Sequence, residues 1–198
     1  MASQKGIEKW KQKKWYDLYA PHIFDDKIIC KMPANDDNAA VGRNINVALS
    51  QLTGNPAHAY TNVVLKVSEV SEGTAAKTNV AKIELLNSYI RSLVRRGRSV
   101  SNAILQSNSK DSVPMVAKII VVTSRKTTHA NIIKMRKMAG EYVASHFPET
   151  DSAAIVGSVI NGSMQAELTK KLGKIVPINK VEIKKLEVGR AGASAAAA

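Results

Sequence analysis

The chain has 198 residues, 44% hydrophobic and 23% charged, a balance typical of one compact domain with an apolar core. Its 29 lysines and arginines outnumber 16 acidic residues, so the net charge is +13. The single cysteine, Cys30, excludes an internal disulfide and is expected to be a small buried hydrophobe. Because no apolar run approaches the ~18 residues that span a bilayer, we expect a cytoplasmic protein without a membrane partner.

The positive charge is concentrated in the middle of the chain. Residues 81–140 contain twelve basic and two acidic residues, whereas residues 21–80 contain five and six. Concentrated positive charge indicates a polyanionic partner, for which nucleic acid is the first candidate.

Residues 1–20 form a predicted basic, aromatic arm, in which five lysines alternate with aromatic side chains. We expect its lysines to contact phosphates and Trp10 to stack on a base. Trp15, Tyr16 and Phe24 are instead predicted to anchor the arm in the core, because the domain has few other aromatic residues.

Two hairpins follow from the alternation of apolar residues. Residues 61–70 place Val63, Leu65 and Val67 on one side of a strand, and a short loop leads to a partner strand at 78–85. Residues 100–106 and 113–124 predict a second hairpin with Lys110 at its tip.

Residues 85–97 predict an amphipathic helix between these hairpins. At 100° per residue its apolar side chains share one stripe, while Arg91, Arg95 and Arg98 share the opposite one. Gly97 is the predicted C-cap.

Three further helices and a last strand complete the pattern. Residues 130–147 predict a helix that Pro148 stops, with Thr127 or Thr128 as its cap. Residues 151–173 predict two short helices broken at Asn161 and Gly162, and residues 174–188 predict a strand. We therefore expect a globular domain over residues 21–188 and a low-complexity tail over residues 189–198.

The arginines of residues 85–97 have no local acidic partner, because Leu85 through Lys110 contains no Asp or Glu. A solvated charged face is the simplest alternative, but unpaired guanidinium groups favour phosphate binding. Arg125 and Lys126 precede a helix start, where a phosphate would also fit, although a plain capped helix gives the same pattern. The predicted RNA-binding residues are Lys5, Lys9, Trp10, Lys11, Lys13, Lys14, Arg43, Arg91, Arg95, Arg96, Arg98, Lys110, Arg125, Lys126, Lys134, Arg136 and Lys137.

No motif for catalysis, nucleotide cofactors or metal binding is present in the sequence. The histidines lack metal-ligand spacing, and there is no phosphate-binding glycine loop or nucleophile elbow. The sequence therefore predicts a protein that is not an enzyme and has no catalytic residues, cofactor or metal.

Several segments together resemble the small-subunit ribosomal protein family of the e-type S-one (formerly S-three-A-e), shared by archaea and eukaryotes. They are KKWYDLYAPHIF, VGRNINVALSQLTGN, SLVRRGRS, MRKMAGEY and KIVPINKVEIKKLEV, and the resemblance extends from about Lys9 to Val188. The chain lacks the long terminal extensions of eukaryotic members and so resembles the shorter archaeal form. It also departs from the family pattern at residues 85–88 and 111–113.

This resemblance implies an α+β fold with a mainly antiparallel, β-barrel-like core flanked by helices. It implies a structural role on the platform of the small ribosomal subunit, near the messenger exit and the 3′ end of the subunit RNA. The implied partners are ribosomal RNA, neighbouring ribosomal proteins and messenger RNA near the exit. The alternatives are a free, regulatory nucleic-acid-binding protein or an enzyme with a pocket of convergent titratable groups.

Overall fold

The computed structural model describes residues 13–71 and 74–189. Within these residues the strands are β1 (Lys14–Tyr19), β2 (Ile28–Ala34), β3 (Asn44–Ala48), β4 (Thr61–Val70), β5 (Ala75–Leu85), β6 (Val100–Asn108), β7 (Pro114–Thr123) and β8 (Ile178–Val188). The helices are α1 (Asp37–Ala40), α2 (Leu49–Thr53), α3 (Asn87–Leu93), α4 (His129–Glu149), α5 (Ser152–Asn161) and α6 (Ser163–Leu172). None of these helices is long and apolar enough to span a membrane.

β5 organises the sheet because it pairs with three strands. β4 runs antiparallel along one edge of β5, from Leu85 back to Ala76. The opposite edge is shared: β1 pairs in parallel with residues 75–77, and β8 pairs antiparallel with residues 82–84. The resulting order is β2-β1-β5-β8-β7-β6, with β3 on the far side of β4.

This sheet is mainly antiparallel but remains open, so the expected barrel-like core is wrong while the α+β class is confirmed. In the described chain β2, β3 and β6 each pair with a single neighbour. The physical reason lies in β5, since two strands share one of its edges and the sheet branches there instead of closing on itself.

Helices α4, α5 and α6 cover one face of the sheet and build the main core. Strand β7 contributes Met115, Ala117, Ile119 and Val121, which pack with helical side chains such as Phe147. Each fully buried Met, Ile, Val or Phe side chain contributes roughly 1.5–3 kcal/mol. A smaller second core surrounds Tyr16 and Leu18 of β1.

Most predicted elements are confirmed. The two hairpins form from β4 with β5 and from β6 with β7, and α4 buries Met135, Ala139 and Tyr142. The break between α5 and α6 falls at Gly162, whose φ of +78° favours glycine. Pro148 lies within the last turn of α4, which ends one residue later at Glu149.

Two burial predictions are wrong. Trp15 is 59% exposed, because β1 alternates and its core-facing positions are taken by Tyr16 and Leu18. Cys30 is exposed on β2, a strand at the edge of the sheet, and partial burial raises the pKa of its thiol. Phe24 is buried as expected.

The predicted arm divides into two parts. Residues 1–12, with Lys5, Lys9, Trp10 and Lys11, lie outside the described residues, as do 190–198 of the predicted tail. Lys14–Tyr19 form β1 and pair with both β2 and β5.

Candidate nucleic-acid interface

The predicted arginine helix is shorter than its pattern suggested. α3 ends at Leu93, and Val94 adopts an extended conformation. Arg91 lies on α3, whereas Arg95, Arg96 and Arg98 lie in the loop of residues 94–99, here called the arginine loop. A longer helix would align three cations on one stripe, and like charges one turn apart are destabilising.

A tight turn shapes the arginine loop. The backbone N–H of Arg98 donates to the carbonyl of Arg95 at 3.3 Å, and Gly97 has a φ of +81°. Glycine at the third position of such a turn permits this positive φ without steric strain. Gly97 therefore serves the turn between the arginines and does not cap the helix.

The arginine loop is fastened to the end of β7 by the buried Thr123. The Thr123 N–H donates to the Ser99 carbonyl, and the Thr123 hydroxyl accepts from the Ser99 N–H, both at 3.0 Å. The same hydroxyl donates to the Arg125 carbonyl at 2.6 Å. Ser99 Oγ accepts from the Thr127 N–H at 3.0 Å.

These hydrogen bonds among Ser99, Thr123, Arg125 and Thr127, here called the knot, connect two basic segments that are separate in the sequence. Arg95, Arg96 and Arg98 reach the surface on one side of Ser99, and Arg125 and Lys126 reach it just after Thr123. We call the surface formed by these residues, together with Arg91, the arginine surface. The sequence predicted each segment but could not show that they meet.

α4 begins beside this surface with Thr128 as its N-cap, although the Thr128 side chain makes no capping bond. Lys134, Arg136 and Lys137 are exposed on the first half of α4. They extend the positive charge away from the Arg125 segment along the helix.

The arginines of this surface have no ion-pair partners in the described chain. The ion pairs found there use His22 and lysines. Guanidinium groups that lack acidic neighbours are available for bidentate contacts with phosphate oxygens.

Lys110 lies apart from the arginine surface. β6 has 9 residues, so its hairpin tip is ~30 Å from the arginine loop at about 3.3 Å per residue. The Lys110 ammonium is 3.6 Å from an Asp151 carboxylate oxygen, and the Lys110 N–H donates to the Thr150 carbonyl. These contacts join the tip to the start of α5.

Arg43, Lys13 and Lys14 form a second basic group near the opposite edge of the sheet. The Arg43 guanidinium donates to the Pro33 carbonyl at 2.9 Å, and Pro33 is the cross-strand partner of Trp15. Trp15 is 59% exposed on β1, so its ring is available to stack on a base. The position of Trp15 directly after Lys13 and Lys14 was a sequence signal for its exposure, which the prediction of a core position did not use.

A network of polar side chains lies beside the arginine surface at α3. Tyr89 of α3 donates its hydroxyl to Glu182 at 3.0 Å and accepts from the Lys180 ammonium. Burial raises the pKa of Tyr89, and the hydrogen bond to Tyr89 raises the pKa of Lys180. Lys180 therefore stays charged at neutral pH.

The described residues contain no group of three or more His, Cys, Asp or Glu side chains that could hold a metal ion. Apart from Lys110, the predicted basic residues in the described chain form two exposed areas at opposite edges of the sheet. Their chemistry is that of surfaces that contact the backbone of a large polyanion.

Comparison with known proteins gives a consistent result. The model of the Ribosomal S3Ae family matches residues 1–191. The small ribosomal subunit protein eS1 of Sulfolobus acidocaldarius is 33% identical over 184 residues, covering 93% of both chains. The proteins of the same name from Sulfurisphaera tokodaii and Pyrobaculum aerophilum are 31% and 32% identical, covering 98% and 91% of this chain and 100% and 81% of theirs. The chain belongs to the Ribosomal S3Ae family.

Proposed function

We propose that this protein is a structural constituent of the small ribosomal subunit and binds the subunit's RNA through the arginine surface. The observation that carries the proposal is the knot at Thr123, which brings together arginines from two segments without acidic partners. The relatives named above are small ribosomal subunit proteins, which supports the same role and a cytoplasmic location here.

Binding would come mainly from phosphate contacts. Lysines and arginines that neutralise phosphates release condensed counterions, and the affinity therefore falls steeply with salt. Such contacts position the protein without reading bases directly, which suffices for one folded RNA site. The second basic group at Arg43, with Trp15, would fix the orientation of the domain on the RNA.

The finer placement follows from the family resemblance and remains part of the proposal. The protein would lie on the platform of the subunit, near the messenger exit, and contact neighbouring ribosomal proteins and messenger RNA there. It would act by stabilising folded RNA and not by catalysis. Lys110, Lys134, Arg136 and Lys137 would add charge around the main contact.

Sedimentation of a native lysate tests the ribosomal part of the proposal. We expect the protein to migrate with small subunits in a sucrose gradient and to leave that position after ribonuclease treatment. Recovery mainly at the top of the untreated gradient would contradict a ribosomal role and favour a free nucleic-acid-binding protein.

Substitution of Arg95 and Arg96 by alanine tests the surface itself. We expect weaker binding to small-subunit RNA and a salt slope less steep by about 2, since each lost phosphate contact removes about 0.9 from it. The matched control removes the same charge at Lys66 of β4 and at Lys27 in the loop before β2, which are both exposed. Equal affinities and salt slopes for the two double variants would refute the assignment of the arginine surface.

A further inference from the structure

A cleft of about 240 Å³ opens beside the arginine surface, where β5 and β8 separate. The two strands pair only at Lys82–Glu84 of β5, and beyond this point α3 and the junction of α5 and α6 line the gap. Tyr60, Tyr89, Gln165 and Lys180 are among the lining residues. The volume is below the ~300–1,000 Å³ of pockets for drug-sized ligands, so the cleft suits one small planar group.

An aromatic platform stands in this cleft. The rings of Tyr60 and Tyr89 stack with centroids 5.0 Å apart and an angle of 14° between their planes. Tyr89 is fixed through its hydroxyl by Glu182 and Lys180. The Tyr60 carbonyl accepts from the Leu86 N–H at 2.9 Å, which holds the two segments together, and Tyr60 is 53% exposed.

A buried acceptor without a partner lies in the wall of the same cleft. Gln165 donates from Nε2 to the Val159 carbonyl at 2.9 Å, which fixes the orientation of the amide. Its Oε1 atom is buried and has no hydrogen-bond partner in the described chain. A buried acceptor left unpaired is costly, so this atom is suited to a ligand that brings an N–H donor.

The cleft lies within reach of RNA held at the arginine surface. Arg91 follows Tyr89 by two residues on α3, and Lys180 pairs with Val122, the neighbour of Thr123. The Lys180 ammonium is 5.2 Å from the centre of the Tyr89 ring. Lys180 is also ion-paired with Glu182 at 2.9 Å and so fixes the platform, while the exposed Arg91 is the nearby cation that would contact the phosphate of the bound nucleotide.

We propose that this cleft binds a single unpaired base of the RNA, which stacks on Tyr60 and donates from its exocyclic amine to Gln165 Oε1. This inference rests on the proposed function, because the arginine surface supplies the RNA. Adenine, cytosine and guanine carry such an amine, and unpaired bases in loops and bulges are the usual targets of aromatic side chains. The site would hold the RNA in one register and the phosphate contacts would supply most of the affinity.

Fluorine NMR of the full chain labelled with fluorotyrosine tests the proposal, with an oligoadenylate of about six nucleotides as the probe at low salt. The chain has 5 tyrosines, so each resonance can be assigned by a Tyr→Phe variant. We expect saturable shifts at Tyr60 and Tyr89, while the buried Tyr16 and Tyr142 serve as internal controls.

Affinity measurements with variants separate stacking from charge. Tyr60→Ala should weaken oligoadenylate binding at least about fivefold, and Tyr60→Phe should retain it. An abasic sugar-phosphate oligomer should bind the wild type and Tyr60→Ala equally. An oligomer of unsubstituted purine keeps the fused rings without the amine and should bind more weakly than oligoadenylate.

The outcomes distinguish the cleft from the proposed function. In one outcome, oligoadenylate binds the wild type without moving the Tyr60 and Tyr89 resonances, and this binding is lost when Arg95 and Arg96 are substituted. That result would overturn the base site and keep the arginine surface. Equal shifts with the abasic oligomer would also overturn it. Failure of every oligomer to bind the wild type at low salt would overturn the base site, whereas the arginine surface is tested separately by its binding to small-subunit RNA.

Discussion

Thr123 is fully buried, yet its hydroxyl determines the geometry of an exposed loop. It accepts from Ser99 and donates to Arg125, so the two basic segments depend on one side chain. A valine at this position would keep the shape and remove both bonds. If the arginine surface binds RNA as proposed, the knot would couple core packing to RNA affinity.

We expect Thr123→Val to lower the free energy of unfolding by about 1 kcal/mol, because the partly buried hydrogen bonds from the Ser99 N–H and to the Arg125 carbonyl are lost. RNA affinity should fall as well, since the hydroxyl that links the Ser99 N–H to the Arg125 carbonyl is lost and the arginine loop is held less firmly. Urea denaturation and RNA titration of the same sample measure the two effects.

Thr150→Val is the matched control for this substitution. The Thr150 hydroxyl donates to the His146 carbonyl at 2.9 Å, at the opposite end of α4 from the arginine loop. We expect some loss of stability and unchanged RNA affinity. If Thr123→Val has no greater effect on RNA binding than Thr150→Val, the knot has no role in the interface.

At the scale of elements, the tip of the β6–β7 hairpin is joined to the start of α5 by Asp111. The carboxylate accepts from the Ser152 N–H at 3.0 Å and from the Ser152 hydroxyl at 3.1 Å. These two hydrogen bonds lower the pKa of Asp111 from its usual 3.8. The aspartate thus caps a helix from a distant strand pair.

This lowered pKa makes the junction sensitive to acid. Because the folded pKa lies below the unfolded one, the stabilisation is complete above the unfolded value and is lost as pH falls through the folded value. We expect Asp111→Asn to have a lower melting temperature than the wild type at neutral pH. In acid the two melting temperatures should be close to each other. Thermal unfolding followed from neutral to acidic pH measures this difference, and parallel curves for the two proteins would contradict it.

Local periodicity predicted the elements whose partners are close in sequence. The alternation of Val63, Leu65 and Val67 identified β4. The buried stripe of α4 was predicted correctly because a long helix repeats its core-facing positions over several turns. The end of α3 was missed because Leu93 and Val94 continue the helical pattern. What stops the helix is charge repulsion and the turn at Gly97, neither of which periodicity detects.

At the scale of the molecule, the sequence could not predict how the sheet is assembled. The parallel pairing of β1 with β5 joins Asp17 to Ala75, and no local signal marks such a contact. The lack of a local signal also explains the wrong burial prediction for Trp15, since only the docking of β1 decides which side of that strand faces the core. The same holds for the candidate site. Its basic residues were predicted from the sequence, whereas the junction at Thr123 and the cleft at Tyr60 required the tertiary structure.

The central position of β8 makes the fold dependent on its last strand. β8 lies between β5 and β7, and Val181, Ile183 and Leu186 belong to the main core. We expect a chain that ends at Val176 to lose cooperative thermal unfolding, measured by circular dichroism. Removal of residues 190–198, which the sequence predicts to lie outside the fold, is the control and should preserve the transition. A sharp transition in the chain ending at Val176 would contradict this view of β8.

This position of β8 also has a consequence for biosynthesis. During translation β7 emerges long before β8. One edge of β7, a strand that is buried on both faces in the folded protein, therefore stays unpaired until β8 is made. The Ser124 N–H, next to the knot, bonds to the Pro177 carbonyl just before β8 begins. A nascent chain therefore exposes this edge of β7 until synthesis reaches β8, and a product that ends before Pro177 would lack the hydrogen bond that holds Ser124 beside the knot.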